Sequence, residues 1–122
     1  MRLVVSFNGR KIEFSVRQTG FFSRGLGLTF RTKDTSILLF DFSRAVTWQG
    51  NLTSLFVFFP FLTLWLDEKN KVIGFKIVRP FTFSISQKRK FYRIVEIPLN
   101  NSNFPLVKKF VSTKTLAKYY RR

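Results

Sequence analysis

From Ala45 to Leu66 the chain carries no charged side chain, and the stretch from Leu52 reads LTSLFVFFPFLTLWL. A run this apolar has two stable fates: a membrane-spanning helix, or strands buried inside a folded domain. As a helix, Leu52 to Leu66 would span roughly 22 Å, short of the ~30 Å hydrocarbon core. Pro60 would break that helix near its middle, and Gln49-Gly50-Asn51 spoils any extension upstream. Its Phe, Val, Thr and Trp residues favour strands. The run therefore reads as two strands, Leu55 to Phe59 and Phe61 to Leu66, or as one strand bent at Pro60. Asp67-Glu68-Lys69-Asn70 then supplies a turn, and Lys71 to Val78 (KVIGFKIV) returns as a hairpin partner that stops at Arg79-Pro80. A β-meander is the expected arrangement.

The flanking sequence points the same way. Leu3 to Phe7 and Lys11 to Val16 alternate apolar with polar residues around Asn8-Gly9, the strongest short-range hairpin signal, because both turn residues must take positive φ. Gly20, Gly25 and Gly27 mark turns or close approach within Gln18 to Arg31, and Thr32 to Thr35 is a polar turn. Ile37 to Phe42 is a short apolar strand. Phe81 to Lys90 begins with strand-like alternation and ends as a basic turn. Phe91 to Ile97 is a strand stopped by Pro98, and Asn100 to Asn103 is a loop. Phe104 to Arg122 could form a basic helix, with Leu106, Val107, Phe110, Ala117 and Tyr120 near one face. At 122 residues, 45% of them hydrophobic and 17 of them Phe, one aromatic-rich core is expected. The expected fold is all-β and mainly antiparallel: a small barrel or folded sheet of about seven strands, with room for a short C-terminal helix. Residues 1–98 would make the β-rich domain, and residues 99–122 a basic extension packed on it or trailing from it.

Composition removes many chemistries. The chain has no Cys and no His, which excludes disulfides, thiolate and imidazole metal sites, Cys nucleophiles and His-dependent triads. No cofactor is implied. The N-terminus has neither a signal-peptide nor a transit-peptide pattern, so a cytoplasmic location is expected. Gly25-Leu26-Gly27 lacks the companions of a phosphate-cradling loop. Against 6 acidic residues stand 22 Lys and Arg, a formal charge of +16. Such a field suits a polyanionic partner, RNA or single-stranded DNA, although solubility alone also accounts for it.

Two constellations remain. The basic one comprises Lys88, Arg89, Lys90 and Arg93, then Lys108, Lys109, Lys114, Lys118, Arg121 and Arg122, with Tyr92, Tyr119 and Tyr120 among them. Basic grooves with exposed rings bind single strands, whereas buried rings would leave only a solvated basic face. The acidic one pairs Asp41 with Glu96, each in an apolar strand, beside Arg31 or Arg79. It would suit a small enzyme or a carbohydrate-binding barrel if the two strands were neighbours. Asp67 and Glu68 fall in a turn and are expected to be solvated. The structural alternative for Asp41 and Glu96 is an ion pair or an outward-facing position.

Several short pieces occur in a telling order: Gly27-Leu28-Thr29-Phe30-Arg31, Leu38-Leu39-Phe40, Phe56-Val57-Phe58-Phe59-Pro60, Leu66-Asp67 with Val72-Ile73, Arg79-Pro80-Phe81, and Val95-Glu96-Ile97-Pro98. In that order and spacing the chain resembles the domain-of-unknown-function family numbered 192, in its archaeal form, from about Phe22 to Pro98. The resemblance implies a small β-rich domain with no established catalytic activity. Where that family often places a His or a Trp-Met pair, this chain has Thr53 and Ser54, and where it usually carries an Asp, this chain has Leu62. Those departures argue against any shared catalytic site, and a non-enzymatic binding or structural module is the expectation.

Overall fold

A computed structural model of the protein describes residues 1–19, 36–46, 59–79 and 90–120, the side chains of 19 and 43–46 excepted. Strands β1 (Arg2–Phe7) and β2 (Arg10–Ser15) form the expected hairpin, closed by Asn8 at φ 51° and Gly9 at φ 78°. Two positive φ angles are what a two-residue turn needs to match strand twist, and Asn-Gly meets that need at least steric cost. Alternation then sends Leu3, Val5, Ile12 and Phe14 inward.

The remaining described strands are β3 (Arg17–Thr19), β4 (Leu38–Val46), β5 (Phe61–Leu66), β6 (Val72–Val78) and β7 (Phe91–Pro98). They make one sheet in the order β3-β4-β7-β5-β6, antiparallel except for the β3–β4 pair. The chain crosses from hairpin to sheet through Val16, whose N–H donates to Met1 O at 2.8 Å, while Arg17 N–H donates to Ile37 O at 2.8 Å. One continuous stretch thus serves two sheets, and the fold is the small all-β, folded-sheet architecture that the strand pattern implied.

The expected hairpin forms from β5 and β6, and β7 enters on the other side of β5, between it and β4. Burial explains the choice. All six residues of β5 are buried, and Ile94, Val95 and Ile97 give β7 apolar side chains on both faces, so these two strands suit the sheet interior. β6 carries exposed Phe75 and Lys76 and lies at the edge among the described strands, where a lysine also discourages unwanted pairing.

Both faces of the sheet carry buried apolar side chains. On one, Leu39, Leu62, Leu64, Val95 and Ile97 pack with the inward residues of the hairpin. On the other, Leu38, Phe40, Phe61, Trp65, Phe91 and Ile94 form a second, more aromatic cluster. The C-terminal segment joins the first. Instead of one continuous helix it forms two single turns, α1 (Phe104–Val107) and α2 (Thr113–Leu116). Ser112 is extended at ψ 147° and its hydroxyl accepts from Thr115 N–H at 3.2 Å, so it starts a new helix rather than continuing the old one. Val107, Phe110, Val111 and Leu116 are buried, whereas Ala117 is exposed. Tyr120 ties the segment down by donating its O–H to Asn100 O at 2.9 Å.

No helix among the described residues is long and apolar enough to cross a membrane. The expected strands over Leu55 to Phe58 and from Phe81, the three glycines and the Thr32 to Thr35 turn lie outside the described residues.

Candidate functional site

Strand β7 places both acidic candidates. Arg93 pairs across to Asp41 on β4 and to Leu66 on β5, whereas Glu96 pairs with Leu38 and Thr63. Side chains alternate along a strand, so residues three apart face opposite ways. Asp41 therefore lies on Arg93's face and Glu96 on the other. The proposed shared pocket is not formed.

Arg93 was expected on an open basic face, and the structure corrects this. Its Nε donates to Asp41 Oδ2 at 3.1 Å, with both side chains about a quarter exposed. Its Nη1 donates to Asn70 Oδ1 at 3.0 Å and reaches the carbonyls of Glu68 at 3.3 Å and Asp67 at 3.4 Å. One planar guanidinium, with several donors in a fixed fork, thus locks β4 to the β5–β6 turn. Within that turn Asp67 is not merely solvated: its Oδ1 accepts from the N–H groups of Lys69 and Lys71, both at 2.8 Å. Asn70 takes φ 63°, a conformation that Asn tolerates better than most residues.

Glu96 meets a different environment. It is 5% exposed and pairs across the sheet with Thr63, which is fully buried. Among the described residues neither Glu96 Oε1 nor Thr63 Oγ1 has a hydrogen-bond partner. Burial without an opposing charge pushes the carboxyl from 4.5 up to about 8. Glu96 is consequently protonated at neutral pH, a lone acid with no second carboxylate beside it among the described residues. Among the described residues no group of His, Cys, Asp or Glu could hold a metal ion.

The basic candidates fall into separate places. Lys90 is exposed at the start of β7, about 26 Å of extended chain from Pro98 at its end. Lys108, Lys109, Lys114 and Lys118 are all exposed on the C-terminal segment. Arg79, expected near the acids, instead lies 5.8 Å from the centroid of Tyr119, and Lys118 lies 5.6 Å from the same ring. Phe61 explains the meeting: it pairs with both Val78 and Pro98, so β6 and β7 end together at the side of the sheet where the helical segment begins. Lys108 sits 5.6 Å from the Phe104 ring. Tyr92, Tyr119 and Tyr120 are half-buried rather than open platforms. Arg31, Lys88, Arg89, Arg121 and Arg122 lie outside the described residues.

Sequence reasoning missed a cleft of about 540 Å³ between the hairpin, the start of β4 and the Asn100 to Asn103 turn, lined by Arg2, Glu13, Arg17 and Ser102 among others. No local signal could have found it, because its walls come from three distant parts of the chain.

No family model matches the chain, and no curated protein matches it. Two crystal structures do share its fold. A candidate transcription regulator from Sinorhizobium meliloti 1021 superposes with TM-score 0.70 at 15% identity, over 87% of this chain and 84% of that one. A protein of unknown function from Novosphingobium aromaticivorans superposes with TM-score 0.67 at 14% identity, over 87% of this chain and 76% of that one. The likeness is one of fold.

Proposed function

We propose that the chain is a non-enzymatic binding module for a polyanion, single-stranded RNA or DNA, held at the edge where Arg79, Lys108, Lys109, Lys114 and Lys118 gather. One observation carries this reading. From Lys69 to Arg122 the only acidic side chain is Glu96, and it is buried and protonated at neutral pH. Of the described cations of that half, Arg93 pairs with Asp41, whereas Lys108, Lys109, Lys114 and Lys118 are exposed on a segment with no acidic residue of its own. Such a surface attracts phosphate chains and releases their counterions on binding. Tyr119 carries two cations on its ring and supports them rather than stacking a base, so contacts to phosphate should outweigh contacts to bases. Membership of the family numbered 192 belongs to the same proposal, since that family's lack of an established activity suits a non-enzymatic module.

The alternative, an enzyme or carbohydrate-binding barrel built on Asp41, Glu96 and an Arg, needs both acids in one pocket, and β7 turns them to opposite faces. Fluorescence anisotropy with labelled oligouridine, repeated across salt concentrations, tests the leading reading. Binding should weaken steeply with salt and differ little between RNA and DNA. Replacing Lys108, Lys109 and Lys118 together by Ala should weaken it at least tenfold and flatten the log–log salt slope by about 2. Undetectable binding at low salt, or a triple variant that binds like the parent, would sink it.

A further inference from the structure

The cleft beside the hairpin is chemically distinct from the C-terminal basic edge. At about 540 Å³ it falls within the size range of small-molecule sites, roughly 300–1,000 Å³. Arg2 is already oriented there, its Nε donating to Glu13 Oε2 at 3.2 Å and its Nη1 to Ser15 Oγ at 3.0 Å. Arg17, beside it on β3, makes no side-chain hydrogen bond or ion pair among the described residues. Glu13 thus offsets one of two guanidinium groups, and the other is left for an anion.

The facing wall is held in place before any ligand arrives. Asn103 N–H donates to Asn100 Oδ1 at 2.7 Å, Asn103 Nδ2 donates to Pro98 O at 2.9 Å, and the Tyr120 O–H holds Asn100 O. A fixed wall lowers the ordering cost of binding. Ser15, Ser36 and Ser102 also line the cleft, and such neutral groups suit hydroxyls better than a second charge.

We propose that this cleft binds a small hydroxylated anion with the size and chemistry of a sugar phosphate, Arg17 and Arg2 taking the phosphate and the serine hydroxyls the sugar. A guanidinium fork matches phosphate geometry, which favours this group over a lone hydroxyl or amide. Two sources share the chemistry: a free sugar phosphate, or the phosphorylated end of a nucleic-acid strand.

The full chain would be titrated with ribose 5-phosphate, ribose and inorganic phosphate by calorimetry, alongside melting curves. Ribose 5-phosphate should bind saturably and at least tenfold tighter than either fragment. Arg17→Ala should weaken it at least tenfold without lowering the melting temperature, because Arg17 makes no side-chain contact that the fold needs. Arg17→Lys should recover part of the affinity. The triple change at Lys108, Lys109 and Lys118 should leave it unaltered, which separates this site from polyanion binding at the basic edge. Displacement by 5′-phosphorylated but not unphosphorylated oligouridine would assign the strand end as a source, and its absence would assign the free sugar phosphate. No saturable binding, equal binding of phosphate alone, or an unchanged affinity in Arg17→Ala would overturn the proposal.

Discussion

Arg93 and Glu96 stand three residues apart on one strand, and the two faces of the sheet treat them oppositely. On the Arg93 face, Asp41, Asn70 and two turn carbonyls converge on one guanidinium. On the Glu96 face, an acid and a hydroxyl sit side by side against leucine, isoleucine and aromatic rings, each with an oxygen that has no partner among the described residues. The first arrangement keeps its charge because every charge has a partner. The second sheds its charge because burial takes its water away. Two carboxylates that look alike in the sequence, each in an apolar strand, thus end in different chemical states, and neither is placed for acid–base work with the other.

The largest effect should come from breaking the Glu96 side. Its folded pKa of about 8 lies above the ordinary 4.5, so the native state keeps a proton that the unfolded chain releases. Stability should fall as pH rises from about 4.5 to about 8, at up to about 1.4 kcal/mol per pH unit, and level off above that. Urea melts of Glu96→Gln should lack this slope; the same slope in both proteins would refute it. Next comes Arg93→Ala, which removes the ion pair to Asp41 and the donor that three turn acceptors share, and should cost about 2 kcal/mol in a chemical melt. A loss under about 0.5 kcal/mol would show that the guanidinium is not the lock between β4 and the turn. Smallest is Thr63→Val. Removing a buried hydroxyl that has no partner among the described residues, while keeping its shape, should leave stability unchanged or raise it by up to about 1 kcal/mol. A clear destabilisation would mean that the hydroxyl has a partner after all.

How much of this was legible beforehand follows from the range of each signal. Asn8-Gly9 fixed a hairpin through two φ angles, a local matter. The β5–β6 hairpin was equally local, and so was the strand ending at Pro98. The insertion of β7 between β4 and β5 was not, because strand order depends on which faces are buried after the whole sheet forms. That Arg93 and Glu96 face opposite ways was available from their spacing, but Asp41's place on Arg93's face required the β4–β7 register. The basic residues show the same limit. Their number was plain, whereas the convergence of Arg79 and Lys118 on Tyr119 depends on β6 and β7 ending together. The Ser112 cap that splits the C-terminal segment was readable, yet the apolar periodicity of the neighbouring residues masked it.

The contrast between the faces also bears on function. Protonation of Glu96 is what leaves the chain from Lys69 onward without side-chain negative charge. A carbon-13 NMR titration of the labelled Glu96 side-chain carboxyl tests that claim most directly. Its midpoint should fall at about 8, and a midpoint near the ordinary 4.5 would contradict it.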